Sequence, residues 1–144
     1  MAFSGNHMCT SFKVEVLKGI HNFTAASNVF SLALYTDSAS FTAATTAYTS
    51  SNEVSGTNYA AKGNAITTVT PVASSGTALV DMNNVVFNDV TISAVRGALI
   101  FNEAASGDPA VCVLDFLSDK AASAGDFTVI MPTADASNAI IRIA

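Results

Sequence analysis

Apolar and polar residues alternate along most of this chain, and from Val29 onward the repeat is two residues long. Phe30, Leu32 and Leu34 interleave with Ser31, Ala33 and Tyr35. Extended backbone throws successive side chains to opposite faces, so this run predicts a strand. The same pattern predicts strands over 65–73, 77–82, 91–102, 110–117, 127–131 and 139–143. Turn residues separate them: Ser74-Ser75-Gly76, then Asn83-Asn84 or Asn88-Asp89, then Ser106-Gly107-Asp108-Pro109. Pro71 marks an edge or a bulge, because it has no N–H to give a ladder. Residues 118–125 read as a loop.

Ahead of the strands the spacing is helical. Phe12, Val16, Leu17, Ile20 and Phe23 recur at intervals that predict a short helix over about residues 11–23. Thr10 or Ser11 can cap its start, and Gly19 or Asn22 can end it. So short a helix is marginal alone and must pack on the body or on a neighbouring subunit. Residues 1–10 read as a polar N-terminal arm. Residues 37–63 are rich in Ala, Ser and Thr and nearly free of branched aliphatics. That is long for an unstructured connection, so it reads as an excursion across the surface.

These elements predict a mainly β protein: an antiparallel β-sandwich or barrel-like domain of about seven strands with one short N-terminal helix, filling residues 11–144. Two of the strands, 111–117 and 139–143, are apolar on both faces. A strand of that kind is covered twice or lies in a subunit interface, so the pattern predicts a homo-oligomer.

Composition narrows the functional classes. The chain has 144 residues, half of them hydrophobic and 12% charged, with a formal net charge of −5. One domain of this size buries roughly two-thirds of its unfolded surface, so disulfide staples are not required. Six cations (Lys13, Lys18, Lys62, Arg96, Lys120 and Arg142) are scattered along the sequence. Phosphate binding needs them clustered, so neither nucleic acid nor an acidic membrane surface is an expected partner. No apolar run approaches the length of a membrane span, and residues 1–10 lack a secretory h-region. Synthesis in a reducing cytoplasm is the expectation. Of the two cysteines, Cys9 reads as exposed in the arm and Cys112 as a small core residue, unpaired with each other.

Candidate chemistry is thin. His7, Cys9 and His21 are the closest soft-ligand set, but zinc wants four ligands and no CxxC or HxxxH accompanies them. Asp115, Asp119 and Asp126 could offer oxygen to calcium, yet their spacing fits no EF-hand. No GxSxG elbow is present, Ser4-Gly5 near His7 lacks that context, and the glycines are dispersed. The reading is therefore a non-enzyme without cofactor, working by packing against something. Arg96 and Arg142 lie in apolar strands, either snorkelling at an edge or paired with an acid.

Several segments together resemble a pattern of tailed-bacteriophage virion proteins. They are Thr45-Thr46-Ala47-Tyr48-Thr49 with Asn52-Glu53-Val54-Ser55-Gly56-Thr57-Asn58-Tyr59, Arg96-Gly97-Ala98-Leu99-Ile100-Phe101-Asn102, Val111-Cys112-Val113-Leu114-Asp115-Phe116, and the ending Asp126-Phe127-Thr128-Val129 with Asn138-Ala139-Ile140-Ile141-Arg142-Ile143. The opening Ser11-Phe12-Lys13 with Leu17-Lys18-Gly19-Ile20-His21 is similar too, so the resemblance covers nearly the whole chain. The chain departs from it at Asn58 and Lys62-Gly63, where the pattern has Gly and Gly-Gly.

The resemblance implies a structural protein of the virion, assembled in the host cytoplasm. Its first expectation is a capsid decoration (cement) protein, a homotrimer bound to the major capsid protein or other virion proteins. A tail, baseplate or adaptor component, or an adhesin-like surface-binding module, are the alternatives. Tyr48 and Tyr59 are the expected anchors of residues 37–63 on a neighbour, because an aromatic ring supplies most of the contact area in such a stretch. Glu53 is expected to accept hydrogen bonds from amides around Ser55 to Thr57. Phe12 completes the set of candidate interface residues.

Overall fold

A computed structural model describes residues 3–144. It contains two antiparallel sheets and one short helix, a sandwich-like mainly β fold. In chain order the elements are β1 (His7–Met8), α1 (Thr10–Leu17), β2 (Phe30–Tyr35), β3 (Asn64–Ile66), β4 (Thr68–Ser74), β5 (Thr77–Met82), β6 (Val85–Asn102), β7 (Ala110–Val129) and β8 (Ile141–Ile143). The five-stranded sheet runs β1-β7-β6-β2-β3, and the three-stranded sheet runs β4-β5-β8.

Strand β2 organises the large sheet. Every one of its six residues is buried. It pairs with β6 from Phe30↔Asn102 to Tyr35↔Gly97 and with β3 at Phe30↔Ile66. Cross-strand partners share a face, so the register sorts the core into two layers. Phe30, Leu32, Leu34, Ala98 and Ile100 point one way, toward Phe12, His21 and Phe23 beside α1. Ala33, Tyr35, Leu99 and Phe101 point the other way, toward Phe41 and Tyr48 from residues 37–63.

Both faces of the large sheet are therefore covered from within the chain. Strand β7 shows the same economy, with Ala110 to Val113 buried. The apolar run at 111–117 thus finds both covers inside its own fold as far as Val113, while Leu114 to Phe116 are half-buried and Leu117 is exposed. The run at 139–143 is corrected more simply: only 141–143 is strand, an edge with Arg142 and Ile143 exposed.

Strands β6 and β7 form one long hairpin, closed by residues 103–109 where Gly107 (φ 83°) and Asp108 (φ 48°) turn left-handed. Repeated register shifts bend it, with Asp89, Ala94, Leu117 and Ala124 at positive φ. Of the two turns expected after β5, Asn83-Asn84 holds between β5 and β6, while Asn88-Asp89 and the expected loop at 118–125 are bulged strand. The turn between β4 and β5 holds as read: Ser75 (φ 51°) and Gly76 (φ 79°) make the two-residue hairpin that a right-handed twist favours.

The N-terminal arm is also corrected. Phe3 is fully buried and packs edge-on to Phe41, His7–Met8 pair with Val113 and Cys112, and Cys9 N–H bonds Val111 C=O. Its apolar residues, Phe3 and Met8, fall where the large sheet still offers an uncovered face and edge. The helix ends at Leu17, earlier than its apolar spacing implied, because Gly19 (φ 73°) turns the chain.

Candidate functional site

The four candidate interface residues fall into two places. Tyr48, Glu53 and Tyr59 lie together on one side of the large sheet, and Phe12 lies on the other.

Glu53 is the hub of the first cluster. Its Oε2 accepts the Tyr48 hydroxyl at 2.6 Å, and its Oε1 accepts the Tyr59 hydroxyl at 2.8 Å and the Lys62 N–H at 2.8 Å. These donors replace the turn amides around Ser55 to Thr57 that sequence reasoning assigned. The Tyr59 oxygen also accepts the Leu34 N–H at 2.9 Å, and the Tyr35 hydroxyl donates to Thr49 C=O at 2.6 Å. The rings pack inward, Tyr48 on Phe101 at 4.8 Å between centroids and Tyr59 on Phe87 at 5.5 Å.

Residues 37–63 are thus clamped to their own sheet. Ala39, Phe41 and Val54 are buried beneath them, and isolated bridges pair Tyr35 with Glu53, Ala47 with Pro109, and Thr57 with Thr91. Lys62 adds ion pairs to Asp108 at 2.9 Å and Glu103 at 3.6 Å. The apparent shortage of anchors in the sequence is made good by two rings, one carboxylate and many backbone bonds. Asn58 (φ 60°) and Lys62 (φ 72°) both hold left-handed backbone, a conformation that glycine adopts at least cost.

The cluster's electrostatics follow from burial. Burial and the nearby Glu53 charge hold the Tyr35 phenol well above its ordinary value. For Tyr59, burial is again the main cause, only partly offset by the Leu34 N–H. Burial and the hydrogen bond to Glu53 push Tyr48 up to about 12. Neutral phenols donating to a carboxylate make a structural latch. They offer neither a poised base nor a nucleophile at neutral pH.

Phe12 is buried on the inner side of α1, edge-on to Phe23 at 5.9 Å between centroids. His21 anchors the chain just after the helix: its Nε2 lies 2.8 Å from Glu15 Oε2, and its Nδ1 lies 3.2 Å from Asn102 Nδ2. The Asn102 amide is oriented by donating to Asn28 Oδ1 and accepting from Ala104 N–H. The imidazole therefore accepts at Nδ1 and donates from Nε2 to Glu15.

Phe12 also lines a groove of about 150 Å³ between α1 and the small sheet, with Val16, Val80, Ile141 and Ile143. Of the aliphatics on α1, β4 and β8, Leu17 is 88% exposed and Val14, Val72 and Ile143 are half-exposed. The outward side of the helix carries Val14 and Leu17 beside Thr10 and Lys13. The helical spacing counted Leu17 on the packed side, and the structure exposes it.

The remaining sets are structural. Asp115 accepts from Gly5 N–H, Leu117 N–H and Arg96 Nε. Burial raises its carboxyl, but these donors outweigh burial and hold it below the usual carboxylate range. Arg96 also reaches Asp37 at 3.5 Å, which resolves it as an ion-paired arginine. Ser4 Oγ lies 3.0 Å from His7 Nε2 on the exposed surface. Cys9 and Cys112 are free thiols, and Cys9 is buried where the arm reading had it exposed. Burial pushes Cys9 up to about 11 and Cys112 up to about 12. Among the described residues no three His, Cys, Asp or Glu side chains gather as metal ligands, and no helix is long and apolar enough to cross a membrane. Comparison with family models, with curated proteins and with solved structures finds no match to this chain.

Proposed function

We propose that this chain is a structural protein of a tailed-phage virion, a capsid decoration protein that binds and stabilises the major capsid shell. The observation that carries the reading is the pair of exposed aliphatics, Val14 and Leu17, on the outward side of α1 beside its groove: Leu17 is 88% exposed, and Phe12 and Ile143 line the adjoining hollow. That side also carries Thr10 and Lys13, and exposed aliphatics grouped with polar neighbours in this way call for a cover. The near-complete resemblance to virion proteins supports the same reading. So does the latch of phenols on a carboxylate, which offers no poised base or nucleophile.

The surface suits a partner that offers an apolar ridge to the groove and places few charges opposite it. The cation nearest the helix end, Lys18, lies at its C-cap, where it can pair with an acid on the partner's rim. Cryo-EM of particles of the phage that encodes the chain tests the proposal. Density for this fold on the outside of the shell, with α1 turned toward the major capsid protein, is the expected result. Density in the tail, or none, overturns it.

A further inference from the structure

We infer that the outer edge of β7 is a self-association surface, on which a second copy of this chain lies antiparallel across a two-fold axis at Ser123. On that side β7 pairs with β1 only at Cys112 and Val113, and among the described residues no strand covers the edge beyond Asp115. Residues 117–121 are exposed, as are Ser123, Ala124, Asp126 and Thr128. Leu117 and Ile130 are each 77% exposed, and Phe116, Val129 and Ile130 together line a hollow at this edge. An open edge with large aliphatics at both ends calls for a cover.

The sequence of the edge says which cover. Read antiparallel to itself about Ser123, the segment from Phe116 to Ile130 matches small residues at its centre and opposite charges beside them. Ala122 falls opposite Ala124 and Ala121 opposite Gly125, so the backbones meet where side chains are small. Lys120, the one cation in the segment, falls opposite Asp126, and the two-fold repeats that pair. Ser118 meets Thr128, Phe116 meets Ile130 and Asp119 meets Phe127, while Val129, opposite the exposed Leu117, is buried in its own fold. Opposite charges and apolar residues matched across a strand pair are what stabilise antiparallel pairing, and an isologous contact requires each match to occur twice.

The left-handed residues Leu117 and Ala124 kink the strand. The main-chain ladder is therefore short, and side chains at its two ends carry much of the contact. The hollows at this edge share no lining residue with the groove at α1, so self-association and shell binding are separable. The pairing gives a two-fold dimer, in place of the threefold one the family resemblance implied.

Sedimentation of the full chain at ~50 μM, a concentration suited to an interface at the small end of the stable range, is the first test. A dimer is expected. Lys120→Asp should lower its affinity at least ~10-fold by facing two acids, and Lys120→Asp with Asp126→Lys should restore it. Ser123→Cys should cross-link two copies under mild oxidation while Ser118→Cys does not, because only residue 123 meets itself and both native thiols are buried. Far-UV circular dichroism confirms that each variant is folded. A monomer or trimer, or a dimer indifferent to the charge exchange and the cross-link, overturns the inference. None of these outcomes bears on shell binding, which the particle density decides.

Discussion

The hydroxyl of Tyr59 donates to Glu53 at 2.8 Å, and this bond closes the latch that holds residues 37–63 on the large sheet. The same oxygen accepts the Leu34 N–H from the fully buried strand β2. Removing it orphans the buried Leu34 amide and leaves Glu53 Oε1 with the Lys62 N–H as its remaining donor. Tyr59→Phe should therefore cost about 1–3 kcal/mol and lower Tm by several degrees, read by thermal denaturation. Glu53→Ala should cost more, since it strips the acceptor from two phenols and from the Lys62 N–H. If both variants melt like the parent, the latch contributes nothing to stability.

The three phenols also set an alkaline limit. Tyr35, Tyr48 and Tyr59 all have pKa values raised above the ordinary 10.0, Tyr48 to about 12. A raised folded-state value stabilises the fold fully below the unfolded value and is lost as pH climbs through the folded one. Stability should hold up to about pH 10 and then fall steeply toward pH 12. Phenolate absorbance should rise together with the loss of circular dichroism. Smooth ionisation near pH 10 in a still-folded protein would contradict the buried geometry.

Gly63 is fixed by both conformation and space. Its φ is 67°, and a Cβ there would collide with the carbonyl of Leu32 in β2. At Gly56 space alone is limiting, since a Cβ there would collide with the carbonyl of Thr91 in β6. Gly63→Ala should destabilise by about 3 kcal/mol or more, whereas Gly107→Ala, which meets nothing within 4 Å, should cost only its backbone strain. Equal denaturation midpoints for the two variants would refute the close approach.

Much of this architecture is legible in the sequence, for a local reason. Phe30 to Tyr35 alternates cleanly, and Ser75-Gly76 and Gly107-Asp108 supply the positive φ their turns need. What was hidden depends on partners distant in sequence. Nothing near Phe3 announces that Gly97 leaves room for its ring, although a Cβ there would strike it. The polar run at 118–125 looks like a loop because one side of it faces water and bulges break its alternation. Of the candidate site, the sequence identified Tyr48, Glu53 and Tyr59 as belonging together. It gave the wrong direction, because ring and carboxylate satisfy each other as readily within one chain as between two.

Leu17 gives the groove at α1 a direct probe. Leu17→Asp should leave Tm within about a degree, since this side chain is 88% exposed, while weakening attachment to shells lacking the protein by about 1–3 kcal/mol. A pelleting titration with such shells reads the second quantity. Unchanged pelleting would mean that the outer side of α1 is not the docking surface.

The central claim is that the chain decorates a capsid, and its copy number per particle tests that most directly. Quantitative mass spectrometry of purified particles should find it in hundreds of copies, in fixed ratio to the major capsid protein. A handful of copies, the number expected of a tail or baseplate component, would contradict the account, and so would its absence from the particle.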